Sequence, residues 1–189
     1  MLSYTDLKKG VLFVKDGAPH EVVESNFSRM QQRKAVVQTK IRNLVTGKIV
    51  ETSFQPSDFF EEAEIQKRPV VFLYEHRGEF VFCEPDKRQN RFSLNADIIG
   101  DKKKWFKPNA ELIAVFFGEK IITLLVPVKM DFKIADAPPG VQGDRAQGGT
   151  KAVTIETGAL IQAPLFINAG DIIRVNTETG QYVERVEKN

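Results

Sequence analysis

Lys151-Ala152-Val153-Thr154-Ile155-Glu156-Thr157-Gly158-Ala159-Leu160-Ile161-Gln162-Ala163-Pro164, followed by Asp171-Ile172-Ile173-Arg174-Val175 and Tyr182-Val183-Glu184-Arg185-Val186, is the stretch on which the fold is read. Apolar and β-branched residues alternate with polar ones over short runs. Each run is cut by a turn pair: Thr157-Gly158, Ala169-Gly170 or Thr179-Gly180. Period-two alternation with turn signals at close intervals predicts antiparallel strands in a small barrel or sandwich. Phe132-Lys133-Ile134 opens this group, and a glycine-rich loop from Pro138 to Thr150 interrupts it.

The same pattern runs back through the chain. A middle group contains Val70-Val71-Phe72-Leu73-Tyr74, the Arg77-Gly78 turn and Phe80-Val81-Phe82. It continues with a helical turn over Leu94 to Ile99, ended by Gly100, and a hairpin of Ala114-Val115-Phe116-Phe117 and Ile121 to Val126 about Gly118-Glu119. A first group contains Val11-Leu12-Phe13-Val14, the tight-turn pair Asp16-Gly17, the returning His20-Glu21-Val22-Val23, and a second hairpin about Thr46-Gly47 that ends at Phe54. From Lys34 to Leu44, Ala35, Val37, Thr39 and Ile41 fall on one face. Lys34, Val36, Gln38, Lys40 and Arg42 fall on the other, which predicts one packed and one basic face. Between Glu61 and Pro69 the chain turns charged and a proline closes the stretch, the expected first boundary. The expectation is an all-β chain: an SH3-like barrel over 1–64 and two OB-type barrels over 65–127 and 128–189.

A net charge of +2 leaves any affinity for nucleic acid to the placement of charge. From Ser25 to Val50 there is no acid but there are six cations, Arg29, Arg33, Lys34, Lys40, Arg42 and Lys48, and Glu51, Asp58, Glu61, Glu62 and Glu64 follow. That asymmetry points to an anionic partner. No stretch has the length and apolarity of a membrane span, and the opening residues lack a signal-peptide pattern, so a soluble cytoplasmic protein without a membrane partner is expected. The single Cys83 cannot form an internal disulfide and reads as an inert strand thiol, and the sequon Asn26-Phe27-Ser28 then carries little meaning. His20 and His76 have no ligand-like spacing with Cys83 or with carboxylates, and no paired-acid constellation stands out. No enzyme, metal or cofactor is expected. Lys102-Lys103-Lys104-Trp105 reads either as a basic, aromatic nucleic-acid platform or as surface lysines beside a core tryptophan. The loop from Gly140 to Lys151 lacks the Gly-Lys-Ser/Thr ending of a nucleotide-binding P-loop.

The run from Lys151 to Thr179 resembles, almost position for position, the C-terminal signature of the bacterial elongation factor P family, with Ala163 where valine is usual. Leu44-Val45-Thr46-Gly47, Ile99-Gly100-Asp101 before Lys104-Trp105, and Gly180-Gln181-Tyr182-Val183 before Arg185 extend the resemblance over the whole chain. It implies an L-shaped, tRNA-like outline and a likeness to bacterial members, because two-domain relatives lack the third barrel. It also implies a monomer that binds the 70S ribosome and its rRNA between the peptidyl and exit sites, contacts peptidyl-tRNA in the P site and relieves stalling at consecutive prolines. A general RNA-binding or ribosome-assembly OB protein is the alternative from another class.

The resemblance also implies sites. The loop Arg29-Met30-Gln31-Gln32-Arg33-Lys34 corresponds to the one that approaches the tRNA acceptor end. The family carries Pro-Gly-Lys-Gly there, with a tip lysine or arginine that is often modified; here the tip position is Gln32, and modification of Gln32, Arg33 or Lys34 is left open. Arg29, Arg33 and Lys34 are expected to supply cations to phosphate, and Gln31 and Gln32 hydrogen bonds to ribose or base edges. Gly143, Asp144 and Arg145 correspond to a loop that faces the small subunit and the E-site mRNA codon, with Arg145 in place of threonine. Tyr182 and Arg185 correspond to residues that face the tRNA body, although an inward tyrosine and a surface arginine on a last strand would be equally ordinary.

Overall fold

The computed structural model of the chain describes residues 1–28, 36–139 and 149–188. Among these described residues, sixteen strands, β1 to β16, form three sheets. The first sheet contains β1 (Leu2–Ser3), β2 (Leu12–Lys15), β3 (Ala18–Ser28), β4 (Val36–Asn43), β5 (Ile49–Phe54) and β6 (Phe59–Glu62) in the order β1-β6-β2-β3-β4-β5. Its core is Leu7, Phe13, Val22, Ile41 and Phe54, with Phe60 packed on it; the rings of Phe54 and Phe60 meet at 4.8 Å and 68°. Edge-on aromatic packing of this kind adds to simple burial and compensates for the small size of the core.

The second sheet contains β7 (Ile65–His76), β8 (Glu79–Cys83), β9 (Arg91–Asn95), β10 (Glu111–Phe117) and β11 (Lys120–Leu125) in the order β11-β10-β7-β8-β9. A single helical turn, α1 (Ala96–Ile99), and a 3₁₀ turn, Gly100–Trp105, join β9 to β10. The third sheet contains β12 (Lys129–Asp136), β13 (Thr150–Ile155), β14 (Leu160–Pro164), β15 (Ile172–Asn176) and β16 (Gln181–Glu187) in the order β14-β13-β12-β15-β16. These two sheets share one connectivity: the first strand is central and pairs with the second and the fourth. In the third, β14 also approaches β16, which closes the Greek-key barrel of an OB fold.

The expected turns form where glycine permits a positive φ: +85° at Gly158, +91° at Gly170 and +70° at Gly180. Three details differ from the expectation. Glu61 and Glu62, which open the charged stretch, still belong to strand β6, where they pair with Val14 and Phe13. Pro69 lies inside β7, ahead of the registered pairs with β8 that begin at Val71↔Cys83, so its missing N–H interrupts none of them. Leu94 lies in strand β9, which runs to Asn95, and the helical turn begins only at Ala96.

The chain packs as two compact units, residues 1–68 with 114–124 and residues 69–113 with 125–189. Within the second unit the core of the third barrel is completed from the middle one. Trp105 and Ala110 join Phe132, Ile134, Val153, Ile155, Ile173 and Val175 in a single cluster, and the Trp105 and Phe132 rings lie 5.8 Å apart. Polar ties flank the indole: Lys107 Nζ donates to Asp131 O at 2.5 Å, and Thr157 Oγ1 donates to Lys104 O at 2.6 Å.

Candidate nucleic-acid interface

Strands β3 and β4 form a long antiparallel hairpin whose register runs from His20↔Asn43 to Ser28↔Val36. Residues 29–35 therefore join two paired strand ends. Arg29, Met30, Gln31, Gln32, Arg33 and Lys34 all fall in this connection and lie outside the described residues. On the last described turn of ladder, Phe27 is 56% exposed and its ring stands 6.5 Å from that of Tyr4.

The packed face of β4 is as expected, with Val37, Thr39 and Ile41 buried. The opposite face is not simply basic. Cross-strand register sets Lys40 between Glu24 of β3 and Glu51 of β5, with Nζ 2.9 Å and 3.7 Å from their carboxylates. Arg42 stands 3.6 Å from Glu21. The Glu24 carboxylate holds the Lys40 ammonium above its ordinary pKa. Beside this row lies Asn26–Gln38–Ser53, and together they line an open polar depression of about 460 Å³. Two of the six cations of the acid-free stretch are thus already matched.

In the third barrel the glycine-rich loop connects the first and second strands, β12 and β13, a position that commonly contacts oligonucleotides in OB folds. Gly143, Asp144 and Arg145 lie outside the described residues. Tyr182 pairs with Val175 and packs on the core cluster, while Arg185 pairs with Ile173. Arg185 Nη1 lies 3.6 Å from Oδ2 of Asp171, which is 2% exposed, and its guanidinium lies 5.1 Å from the centre of the Phe166 ring. Neighbouring Arg174 is tied within the barrel. Its Nε and Nη2 donate to the two Asp131 oxygens at 2.7 and 3.0 Å, and its Nη1 to Glu184 at 2.6 Å. These bonds hold the Asp131 carboxyl below its ordinary pKa.

Phe166, 55% exposed, has no place in the expected site. It lies two residues past the proline that ends β14, where period-two alternation stops, so only its exposure in the fold draws attention to it. The platform reading of Lys102 to Trp105 is overturned: the indole is 3% exposed, and Lys104 Nζ lies 5.0 Å from its centre. His20 Nδ1 donates to Ala18 O at 3.0 Å, so Nε2 accepts from Asn43 Nδ2 at 3.4 Å, and the ring is a satisfied structural group. Cys83 is buried in β8. Among the described residues no group of three His, Cys, Asp or Glu is placed to hold a metal, and no helix is long and apolar enough to cross a membrane.

A six-stranded SH3-like barrel followed by two barrels of one OB connectivity defines a class, the serial small-barrel proteins built from KOW-like and OB modules. Comparison with known proteins gives the family. Residues 3–60 match the model of the elongation factor P KOW-like domain, 65–124 that of its OB domain, and 130–185 that of its C-terminal domain. Elongation factor P of Caldanaerobacter subterraneus subsp. tengcongensis is 37% identical over 186 residues, and that of Clostridioides difficile 38% over 186; each match covers 98% of this chain and all of the relative. A solved translation initiation factor eIF-5A family protein from Naegleria fowleri aligns with a TM-score of 0.48 at 16% identity, over 66% of this chain and 96% of its own. The chain belongs to the elongation factor P family of translation elongation factors.

Proposed function

We propose that this factor binds the 70S ribosome between the P and E sites as a monomer, contacts peptidyl-tRNA and rRNA, and stimulates peptide-bond formation at polyproline stalls. It works in the cytoplasm, without a cofactor and without acid–base or covalent chemistry of its own. Family membership along the full chain is the observation that carries this function. The β3–β4 hairpin is consistent with it, because a long rigid ladder suits the presentation of a short connection to a distant partner.

The chemistry is positioning. Arg29, Arg33 and Lys34 engage phosphates at the acceptor end, and Gln31 and Gln32 bond ribose or base edges. Restricting the motion of a poorly oriented peptidyl-tRNA lowers the barrier by removing entropy before the reaction, so no general base is required. Gly143, Asp144 and Arg145 contact the small subunit and the E-site codon, while Tyr182 and Arg185 lie toward the tRNA body.

The test is a reconstituted translation assay on a message with consecutive prolines. The purified chain raises the yield of full-length product, and no stimulation refutes the function. Arg33→Ala lowers the stimulation about tenfold, the scale of one lost charge-assisted phosphate contact, whereas Gln32→Ala lowers it less. Equal and negligible effects remove the loop from the mechanism. Ribosome pelleting separates this function from general RNA binding, because retention depends here on an occupied peptidyl site. Intact mass of the native protein reports any modification of Gln32, Arg33 or Lys34.

A further inference from the structure

We infer that Phe166 is a stacking platform for an unpaired RNA base, held in position by Arg185 and the buried carboxylate of Asp171; this rests on the ribosome-binding function proposed above and names a contact within it. Phe166 is a central residue of the turn closed by Ile167 N donating to Pro164 O at 3.1 Å. The residues around it, Ala163 and Ile167, are fully buried, while the ring keeps more than half its surface open at 55% exposure. An isolated exposed apolar side chain is ordinary. The scaffold beneath this one is not.

Asp171, 2% exposed, accepts from Asn168 N at 3.0 Å through Oδ2, and its own N–H donates to Asn168 O at 3.2 Å. Asn168 Nδ2 donates in turn to Phe166 O at 3.4 Å. The same Asp171 oxygen lies 3.6 Å from Arg185 Nη1, and the guanidinium stands 5.1 Å from the Phe166 centroid. A buried anion thus fixes a cation, and the cation lies against the ring. A ring already held by its turn and its cation loses little freedom on binding a flat ligand, which favours stacking.

The barrel's connectivity argues that the ligand is RNA. OB barrels bind oligonucleotides across their second and third strands and the loops joining strands one to two and four to five. Here the second and third strands are β13 and β14, and Phe166 lies in the turn that leaves β14, two residues past its end at Pro164. Thr150, at the start of β13, pairs with Pro164, and a methyl added to Gly149 would come within 3.3 Å of Leu165. The Phe166 turn therefore packs against the exit of the glycine-rich one-to-two loop. Aromatic rings commonly seat splayed single-stranded bases, and arginine adds a cation–π contribution. Arg185 is, on this account, a positioning residue for the ring.

The test uses the full chain and ribosomes carrying peptidyl-tRNA. F166A and F166L each weaken pelleting about tenfold, the scale of one lost base stack, while F166W retains it. R185K weakens binding more in the parent than in F166A, because the part of its effect that passes through the ring is already lost there. Thermal midpoints stay near the parent value because the ring is mostly exposed. F166L that binds like the parent, or F166A without effect, overturns the platform, as does crosslinking of p-benzoylphenylalanine at position 166 to a ribosomal protein and not to RNA. Failure of the parent chain to pellet refutes the ribosome-binding function itself. The platform is then judged alone by F166W fluorescence against buried Trp105: quenching by a single-stranded adenosine oligonucleotide supports it, and no quenching overturns it.

Discussion

Replacing Trp105 with alanine removes an indole that belongs to the 3₁₀ turn of the middle barrel but sits, 3% exposed, in the core of the third. An aromatic side chain of this size buries roughly 200 Å². At about 25 cal/mol/Å² its transfer is worth roughly 5 kcal/mol, and compactness of the unfolded chain trims that figure. Loss of packing against Phe132 at 5.8 Å and against the surrounding isoleucines adds a cavity term. The expected destabilisation is about 4 kcal/mol, within the range for large aromatic truncations. It should fall on both barrels, because the Lys107–Asp131 and Thr157–Lys104 hydrogen bonds span the same joint. Urea unfolding followed by circular dichroism gives the magnitude, and hydrogen exchange by mass spectrometry gives its distribution. Peptides from β7 to β9 and from β12 to β16 should lose protection together, and Trp105→Phe should lose much less. A loss under about 1 kcal/mol, typical of a surface change, or loss of protection in one barrel alone, would refute the shared core.

Three further outcomes are expected. Arg174 holds the Asp131 carboxyl below its ordinary 3.8, so the fold favours the charged form. That contribution is complete above the ordinary value and disappears as pH falls through the lower folded one. With both partners about a third exposed it amounts to about 0.5 kcal/mol, and acid titration of Asp131→Asn should lack that component. Gly158→Ala forces a side chain onto φ +85° with nothing within 4 Å of the new methyl. It should cost about 1–2 kcal/mol through the backbone alone, and an unchanged urea midpoint would contradict this. Cys83, fully buried in β8, should resist a thiol reagent until the barrel opens, so its labelling rate should stay far below that of a free thiol and rise with urea in step with unfolding.

Much of the fold was legible because local chemistry and tertiary structure agree. Gly158, Gly170 and Gly180 mark turns that the strands require, and Val37, Thr39 and Ile41 alternate inward as their periodicity implies. Strand β6 was hidden because Phe59-Phe60-Glu61-Glu62 lacks alternation; pairing with β1 and β2 makes it a strand. The basic face of β4 was misread for a similar reason. The acid-free window begins one residue after Glu24 and ends one before Glu51, and the register folds those two glutamates back onto Lys40. No linear window contains that pairing. The family and the position of the 29–35 connection between paired strands were legible; Phe166 was not, since a turn residue's exposure depends on what surrounds it.

The row Glu24–Lys40–Glu51 also bears on how the factor would travel among polyanions. A phosphate chain laid along the outer face of the hairpin would have to displace a carboxylate for each cation it gained at Lys40 or Arg42, and few counterions would be released in return. That flank is therefore nearly inert toward the bulk of any nucleic acid. A visitor whose flank does not adhere can sample many wrong surfaces briefly and leave them, and its residence time is then decided by the few contacts made at its proper berth.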